Sequence, residues 1–259
     1  MDEGESIAPD NIKIIFLGTN GWYPTDTGQT TCILIETKEC YLVLDAGSGI
    51  CKVGRYLTEN KPIFLLLSHF HLDHTFGLHI LNKFGFNNGL TICCHEGGKQ
   101  YLDTLVNHPY TMPIDKLSYK VRVVELCPGI HKDFPFALEC RRLFHPVYCL
   151  GYRIGFEDKI IAFCTDTGVC DPLRKLAKNA DILIAECSVR DGKNSTAWPH
   201  LSSVDAAKVA KEADVDILAL IHFDADNFNS LSERTEAANK AKSIYTNTFA
   251  AYDEMEIII

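Results

Sequence analysis

Four side chains able to bind a metal ion crowd into six residues of the segment Ser68-His69-Phe70-His71-Leu72-Asp73-His74. Imidazole nitrogen and carboxylate oxygen are good zinc ligands and also suit manganese or iron. His69 and His71, two apart on an extended turn, can face one ion. Asp73 and His74 begin the next turn and can face a second. Two cations need more donors than one loop supplies, and isolated candidates stand at the ends of later apolar runs. They are His145 before Pro146, Asp166 in Cys164-Thr165-Asp166-Thr167-Gly168, and His222 after Ile217–Ile221. Asp166 has two oxygens and can bridge both ions; a bridging carboxylate suits cations about 3.5–4 Å apart, the spacing of two-metal hydrolytic centres.

The elements that would carry these residues are legible as apolar, β-rich runs. They are Ile12–Leu17, Cys32–Glu36, Tyr41–Leu44, Ile63–Leu67, Leu90–Cys93, Val121–Leu126, Tyr152–Phe156, Lys159–Cys164, Ile182–Ala185 and Ile217–Ile221, with a further run at Ala137–Phe144. Several are nearly continuous hydrophobics, the pattern of strands covered on both faces. The metal-ligand segment directly follows Ile63–Leu67, at a strand's C-terminal end, where α/β proteins commonly build ligand sites. Ser202 and Ser203 can cap a helix running to about Ala213, with Val204, Ala207 and Ala210 on one stripe. A second helix is predicted from Ser232 to about Tyr245, with Ala238, Ala241 and Tyr245 inward. Residues 1–10 read as a flexible acidic segment, and 11–259 as one domain of sheets sandwiched by helices.

Composition limits the function. The chain has 259 residues, 46% of them hydrophobic and 23% charged, so it can bury a sizeable core. Its formal charge of −9 argues against gripping long nucleic-acid backbones. The N-terminus has no signal-peptide pattern and no apolar stretch is long enough to span a bilayer, so a soluble cytoplasmic protein with no membrane partner is predicted. The 11 cysteines, without a Cys-x-x-Cys pair, read as free thiols in a reducing compartment.

The order His-x-His-x-Asp-His, His145, Asp166, His222 resembles the metallo-β-lactamase-fold hydrolases, over most of the chain from Ile15-Phe16-Leu17-Gly18-Thr19 to His222. Leu44-Asp45-Ala46-Gly47 is similar to the family's first motif, whose aspartate supports the metal loop from behind. The resemblance implies an αββα sandwich, with His69, His71 and His145 on one metal, Asp73, His74 and His222 on the other, and Asp166 bridging. Aspartate at the bridging position points to the phosphodiesterase branch. Leu17-Gly18-Thr19-Asn20-Gly21-Trp22-Tyr23-Pro24, Gly151-Tyr152-Arg153-Ile154, and Ala185-Glu186-Cys187 with His200-Leu201-Ser202 are similar to the ribonuclease Z-like group. In that group a glutamate orients a histidine that assists phosphodiester cleavage, and Glu186 and His200 stand at the matching positions.

Two departures narrow the substrate. Between His145 and Asp166 the chain leaves no room for a long tRNA-binding arm. After His222 it reads Phe223-Asp224-Ala225-Asp226, where the tRNA enzymes commonly carry an arginine. The expected activity is therefore a dinuclear phosphodiesterase acting on small or cyclic phosphodiesters through metal-activated hydroxide. Two divalent ions are implied, zinc first, with manganese or iron also fitting the donors. Asp73 can accept the water's proton and His200 can protonate the departing alkoxide. The alternatives are a ribonuclease Z-like RNA 3′-end endonuclease, which the net charge disfavours, a thioester or lactone hydrolase, and a non-catalytic metal-binding scaffold or sensor. A homodimer is common in the family resembled. Asp224 and Asp226 read as a solvated acidic pair at the rim, or as a selector for cationic character or an extra metal. His79, His95, His108 and His131 match no motif position.

Overall fold

The computed structural model describes residues 11–193 and 195–259; the segment 1–10 lies outside the described residues. In the first half of the chain the strands are β1 (Lys13–Gly18), β2 (Asn20–Gly21), β3 (Cys32–Glu36), β4 (Tyr41–Leu44), β5 (Ile63–Leu66), β6 (Leu90–His95) and β7 (Val121–Leu126). The second half adds β8 (Gly129–His131), β9 (Ala137–Arg142), β10 (Leu150–Phe156), β11 (Lys159–Cys164), β12 (Ile182–Glu186), β13 (Ile217–Ile221), β14 (Phe223–Asp224), β15 (Thr248–Ala250) and β16 (Met255–Ile258). The helices are α1 (Leu72–Thr75), α2 (Lys99–Leu105), α3 (Asp171–Ala177), α4 (Ser203–Glu212) and α5 (Leu231–Lys242), joined by 3-10 segments at Ser48–Arg55, Phe76–Lys83 and Ile114–Lys116.

Two seven-stranded sheets form, in the orders β16-β1-β3-β4-β5-β6-β7 and β15-β13-β12-β11-β10-β9-β8. Period-2 alternation sends each strand's side chains to two different cores. In β1, Ile14 and Phe16 enter the layer between the sheets, where they meet the cluster holding Ile161, Phe163, Ile182 and Ile184. Ile15 and Leu17 point the other way, into a layer closed by Ile50, Leu78, Leu81 and Leu102. In β12, Leu183 and Ala185 face outward onto α3, α4 and α5, through Leu173, Leu176, Ala207, Ala210 and Ala238. Burial on both faces is why these strands read as continuous apolar runs, and the result is an αββα sandwich. Each fully buried Ile or Leu contributes about 1.5–3 kcal/mol by leaving water.

The predicted helices form with adjusted edges. Ser202 caps α4 through a reciprocal capping box with Asp205, worth about 1 kcal/mol. Its buried stripe is Ala206, Ala207, Val209 and Ala210, with Val204 only half-buried. Ala207 and Ala210 thus lie on the covered face as expected, joined by Ala206 and Val209. The cap of α5 is Ser230 rather than Ser232, and the helix stops at Lys242, short of Tyr245. The weakly patterned strands β8, β15 and β16 were not anticipated, and β16 pairs with β1 to close one sheet edge. All 11 cysteines are free, and eight of them are buried. Among the described residues no helix is long and apolar enough to cross a membrane.

Candidate metal centre

Parallel pairing brings the C-terminal ends of β4, β5 and β6 to one rim of the first sheet. It does the same for β11, β12 and β13 in the second. Asp45 follows β4 and the His69–His74 segment follows β5. His145 lies beyond β9, Asp166 beyond β11, Glu186 at the last position of β12 and His222 just beyond β13. Three of these polar residues leave their strands through left-handed backbone, with φ of +58° at Asp45, +50° at Asp166 and +49° at His222. Non-glycine residues held there cost roughly 1–3 kcal/mol each and persist only when the surroundings impose them. The turns bring the three side chains to one cluster, Asp45 onto His74, Asp166 onto His69, His74 and His222, and His222 onto Asp73.

The seven predicted ligands gather into two donor groups. His69, His71, His145 and Asp166 present atoms within 4.8 Å of one another, and so do Asp73, His74 and His222. Asp166 connects the groups. Its Oδ1 lies 3.1 Å from both His74 Nε2 and His222 Nε2, and its Oδ2 lies 3.7 Å from His69 Nε2. In the second group His222 Nε2 is 3.2 Å from Asp73 Oδ2, and the Nε2 atoms of His74 and His222 approach to 3.1 Å.

Outer hydrogen bonds decide which ring nitrogen faces inward. Asp45 Oδ2 accepts from His74 Nδ1 at 2.7 Å, and also from Ser68 Oγ at 2.7 Å. Ser68 has thereby spent its proton, so its Oγ accepts from His69 Nδ1 at 3.0 Å. Ser188 Oγ donates to the His222 carbonyl at 2.9 Å and accepts from His222 Nδ1 at 2.8 Å. In all three rings Nδ1 is fixed from behind and Nε2 points at the centre, the arrangement of metal-binding histidines. The Trp22 amide donates to Asp73 Oδ2 at 2.8 Å. Gly21 packs on the His222 ring so closely that a Cβ there would lie 2.6 Å from it.

The centre's charges fit a cation. Burial, reinforced by the His74 charge, pushes His69 well below the usual imidazole range. Burial likewise lowers His145 to about 4. Both rings are thus neutral, with a lone pair available. Burial alone would raise Asp73 and Asp166, but the adjacent imidazoles outweigh it and hold both carboxyls ionised. His69 Nε2 and both ring nitrogens of His145 are buried with no hydrogen-bond partner. Orphaned buried nitrogens are costly unless something else satisfies them. Three orphans beside ionised carboxylates make a nitrogen–oxygen donor set that divalent cations fit.

Glu186 and His200 meet beside this cluster. Glu186 is fully buried, and its two oxygens lie 2.8 and 2.9 Å from His200 Nδ1. Thr167 N also donates to Glu186 Oε1, fixing the carboxylate. The Leu201 carbonyl accepts from the amides of Ser188 and Val189, which ties the His200 segment to the end of β12. Burial would lower His200, but the Glu186 charge and hydrogen bond outweigh it and raise the imidazole to about 9. His200 is therefore protonated at neutral pH, with Nδ1 held by the Glu186 carboxylate.

Asp224 uses Oδ1 to accept from the amides of Asp226 and Asn227, so it caps its own turn. Asp226 accepts from the Tyr23 hydroxyl. His79, His95 and His131 each bond a nearby backbone carbonyl and belong to neither donor group. Sequence reasoning missed Ser188, Trp22 and Trp198. The Trp198 indole stacks on His71 at 5.9 Å and an interplanar angle of 15°. It missed Arg234 as well, which is buried and reaches Asn20 Oδ1 at 2.6 Å and Thr27 Oγ1 at 2.8 Å, pinning the turn that carries Trp22. The Trp-Pro-His run at 198–200 was the available signal for Trp198; nothing local marks Ser188 or Arg234.

Residues 42–223 match the beta-lactamase superfamily domain. The chain belongs to that superfamily. Its fold and its His/Asp cluster make it a metal-dependent hydrolase, in line with its relatives. A probable metallo-hydrolase of Bacillus subtilis, YhfI, is 26% identical over 225 residues, covering 82% of this chain and 86% of its own length. A ribonuclease Z of Bacillus velezensis is 24% identical over 310 aligned positions, covering 96% of this chain and 99% of its own. The crystal structure of YhfI superimposes with a TM-score of 0.79 at 22% identity, covering 96% of this chain and all of that one, 100%. The human short-form tRNase Z gives 0.73 at 21% identity, covering 95% and 98% respectively. At those identities the structural likeness speaks for the fold.

Proposed function

We propose that this superfamily member hydrolyses small or cyclic phosphodiesters, with residues 11–259 working as one domain around two divalent cations, zinc first. His69, His71 and His145 would hold one cation and Asp73, His74 and His222 the other, with the Asp166 carboxylate shared between them. When bound, such ions neutralise charge on the phosphoryl oxygens and acidify water for attack at phosphorus. The chain's own residues do the rest. Asp73, ionised and held by the Trp22 amide at 2.8 Å, can take a proton from the attacking water. His200, oriented by Glu186, donates a proton to the departing alkoxide.

The observation that carries this reading is the Glu186–His200 pair beside two donor groups that share one carboxylate. A protonated imidazole suits an alkoxide leaving group, and a bridged centre suits a phosphoryl group with charge on several oxygens. The net charge of −9 favours a short substrate over a long polyanion. The named ribonuclease Z relatives make RNA 3′-end cleavage the rival reading. The alignment with one of them runs over 310 positions against 259 residues here, so that relative carries insertions this chain lacks.

The test is a screen of metal-loaded protein against bis(p-nitrophenyl) phosphate, 2′,3′-cyclic nucleotides, a thioester and a tRNA precursor. Turnover of the small diesters, insensitive to added salt, is the expected outcome. Cleavage confined to the tRNA precursor, with binding that falls steeply as salt rises, would favour the rival. Turnover of the thioester alone contradicts the proposal.

A further inference from the structure

The chain has two tryptophans, and one of them, Trp198, is 53% exposed although its ring touches the metal centre. It lies 5.9 Å from His71, 5.7 Å from His145 and 6.0 Å from His200, centroid to centroid. His71 stacks on the indole nearly in parallel, and about half of Trp198 is left in solvent beside the donor groups. An indole is among the largest apolar surfaces a protein can bury, so the half of it left in water beside the donor groups is area that a bound ring could still cover.

A second exposed ring extends the surface. Phe144, the residue before His145, is 45% exposed. It closes against Gly168 and Pro199: a Cβ on Gly168 would lie 2.9 Å from the Phe144 ring and 2.9 Å from Pro199 Cβ. Phe144 and Trp198 are thus the two exposed rings of an apolar strip joined through the buried Gly168 and Pro199, and its Trp198 end borders both the first donor group and His200. A group lying on that strip would be joined to whatever the donor groups hold.

We propose that this strip is a subsite for a planar ring on one ester arm of the substrate, so that the enzyme prefers diesters with an aromatic arm over those with alkyl arms. The inference rests on the phosphodiesterase reading and adds the class of alcohol the ester carries. Stacking on an indole is selective for flat rings and indifferent to their hydrogen-bonding edges, so an aryl group and a nucleobase share the chemistry. Alanine in place of a stacking aromatic typically costs roughly tenfold in binding per ring.

The experiment compares three inhibitors of bis(p-nitrophenyl) phosphate turnover by the metal-loaded protein: dimethyl phosphate, diphenyl phosphate and thymidine 5′-(methyl phosphate). Inhibition constants are taken as ratios within each protein, which cancels any loss of metal or fold in a variant. Wild type should prefer at least one ring-bearing ester over dimethyl phosphate by roughly tenfold. Trp198→Ala should erase that preference and Trp198→Phe should keep most of it. The ring that gains tells aryl from nucleobase. As an independent readout, Trp22→Phe leaves Trp198 as the single indole; its emission should shift blue with the preferred ring-bearing ester and stay unchanged with dimethyl phosphate. Equal inhibition by all three esters, or a preference that survives in Trp198→Ala, overturns the inference while the phosphodiesterase reading stands. A Trp198 emission shift that depends on protein concentration without ligand would assign the strip to a second copy of the chain and also overturn it. Absence of turnover for every diester would remove the reading and the inference together.

Discussion

Within the group Asp73–His74–His222 every side chain has an outer partner: the Trp22 amide on Asp73, Asp45 on His74 and Ser188 on His222. In the group His69–His71–His145, among the described residues, only His69 has one, the Ser68 hydroxyl. His145 is held by ring contacts instead, 5.1 Å from His69 and from His71 and 5.5 Å from His200. The first kind of support fixes tautomer and orientation. The second fixes position and leaves the ring some rotation. Carboxylates are distributed just as unevenly: one group owns Asp73, while the other has only its share of Asp166. A group that is both more anionic and more rigid should bind a cation more tightly. The looser group lies beside the exposed ring of Trp198.

Asp166 is the point at which this contrast disappears, because its oxygens serve both groups. Asp166→Ala should therefore have the largest effect, removing turnover below detection and leaving less than two equivalents of metal in the purified protein. Turnover within tenfold of wild type would show that the groups work without a shared ligand. His200 lies outside both groups, so His200→Ala should lower kcat by about 10²–10⁴-fold, the usual range for a general acid, while metal content stays at the wild-type value. Loss of metal in that variant would move His200 from proton transfer to structure.

Asp45→Asn strikes the rigid group alone. Outer partners of metal ligands are worth about 10–100-fold in affinity, so the tighter site should weaken by that factor while the other is unmoved. The smallest change is a pH shift. His200 must be protonated to donate, and its pKa is raised from the ordinary 6.5 to about 9, so donation is present below that value and lost as pH rises through it. Removing the Glu186 charge lowers the His200 pKa. The alkaline limb of kcat in Glu186→Gln should then begin at lower pH than in wild type. An unmoved limb would mean that another group sets it.

Much of the centre was legible in the chain because four candidate ligands fall within six residues and the others end strands that are apolar throughout. The strands themselves were legible because both faces of each sheet are covered, as Ile182–Glu186 illustrates with five buried residues in a row. Edge strands lacked that signature: only alternate residues of β16 approach burial, and β8 is mostly exposed. Contacts between residues far apart in sequence were invisible for a different reason. Ser188 meets His222 across 34 positions and Trp22 meets Asp73 across 51, and neither pair has a composition or spacing that marks it. The left-handed backbone at Asp45, Asp166 and His222 was hidden as well, since none of the three residues that adopt it is a glycine. At Asp224 the sequence left a solvated loop and a selective rim both open, and the side chain caps its own turn.

The most direct test is a titration of metal-stripped protein with zinc, followed by metal analysis and turnover at each addition. Two equivalents should bind in two steps, the tighter one weakened by Asp45→Asn and the looser one abolished by His145→Ala, with turnover rising only as the second site fills. Binding of fewer than one equivalent, or full turnover at the first, would contradict a centre built from two unequal donor groups.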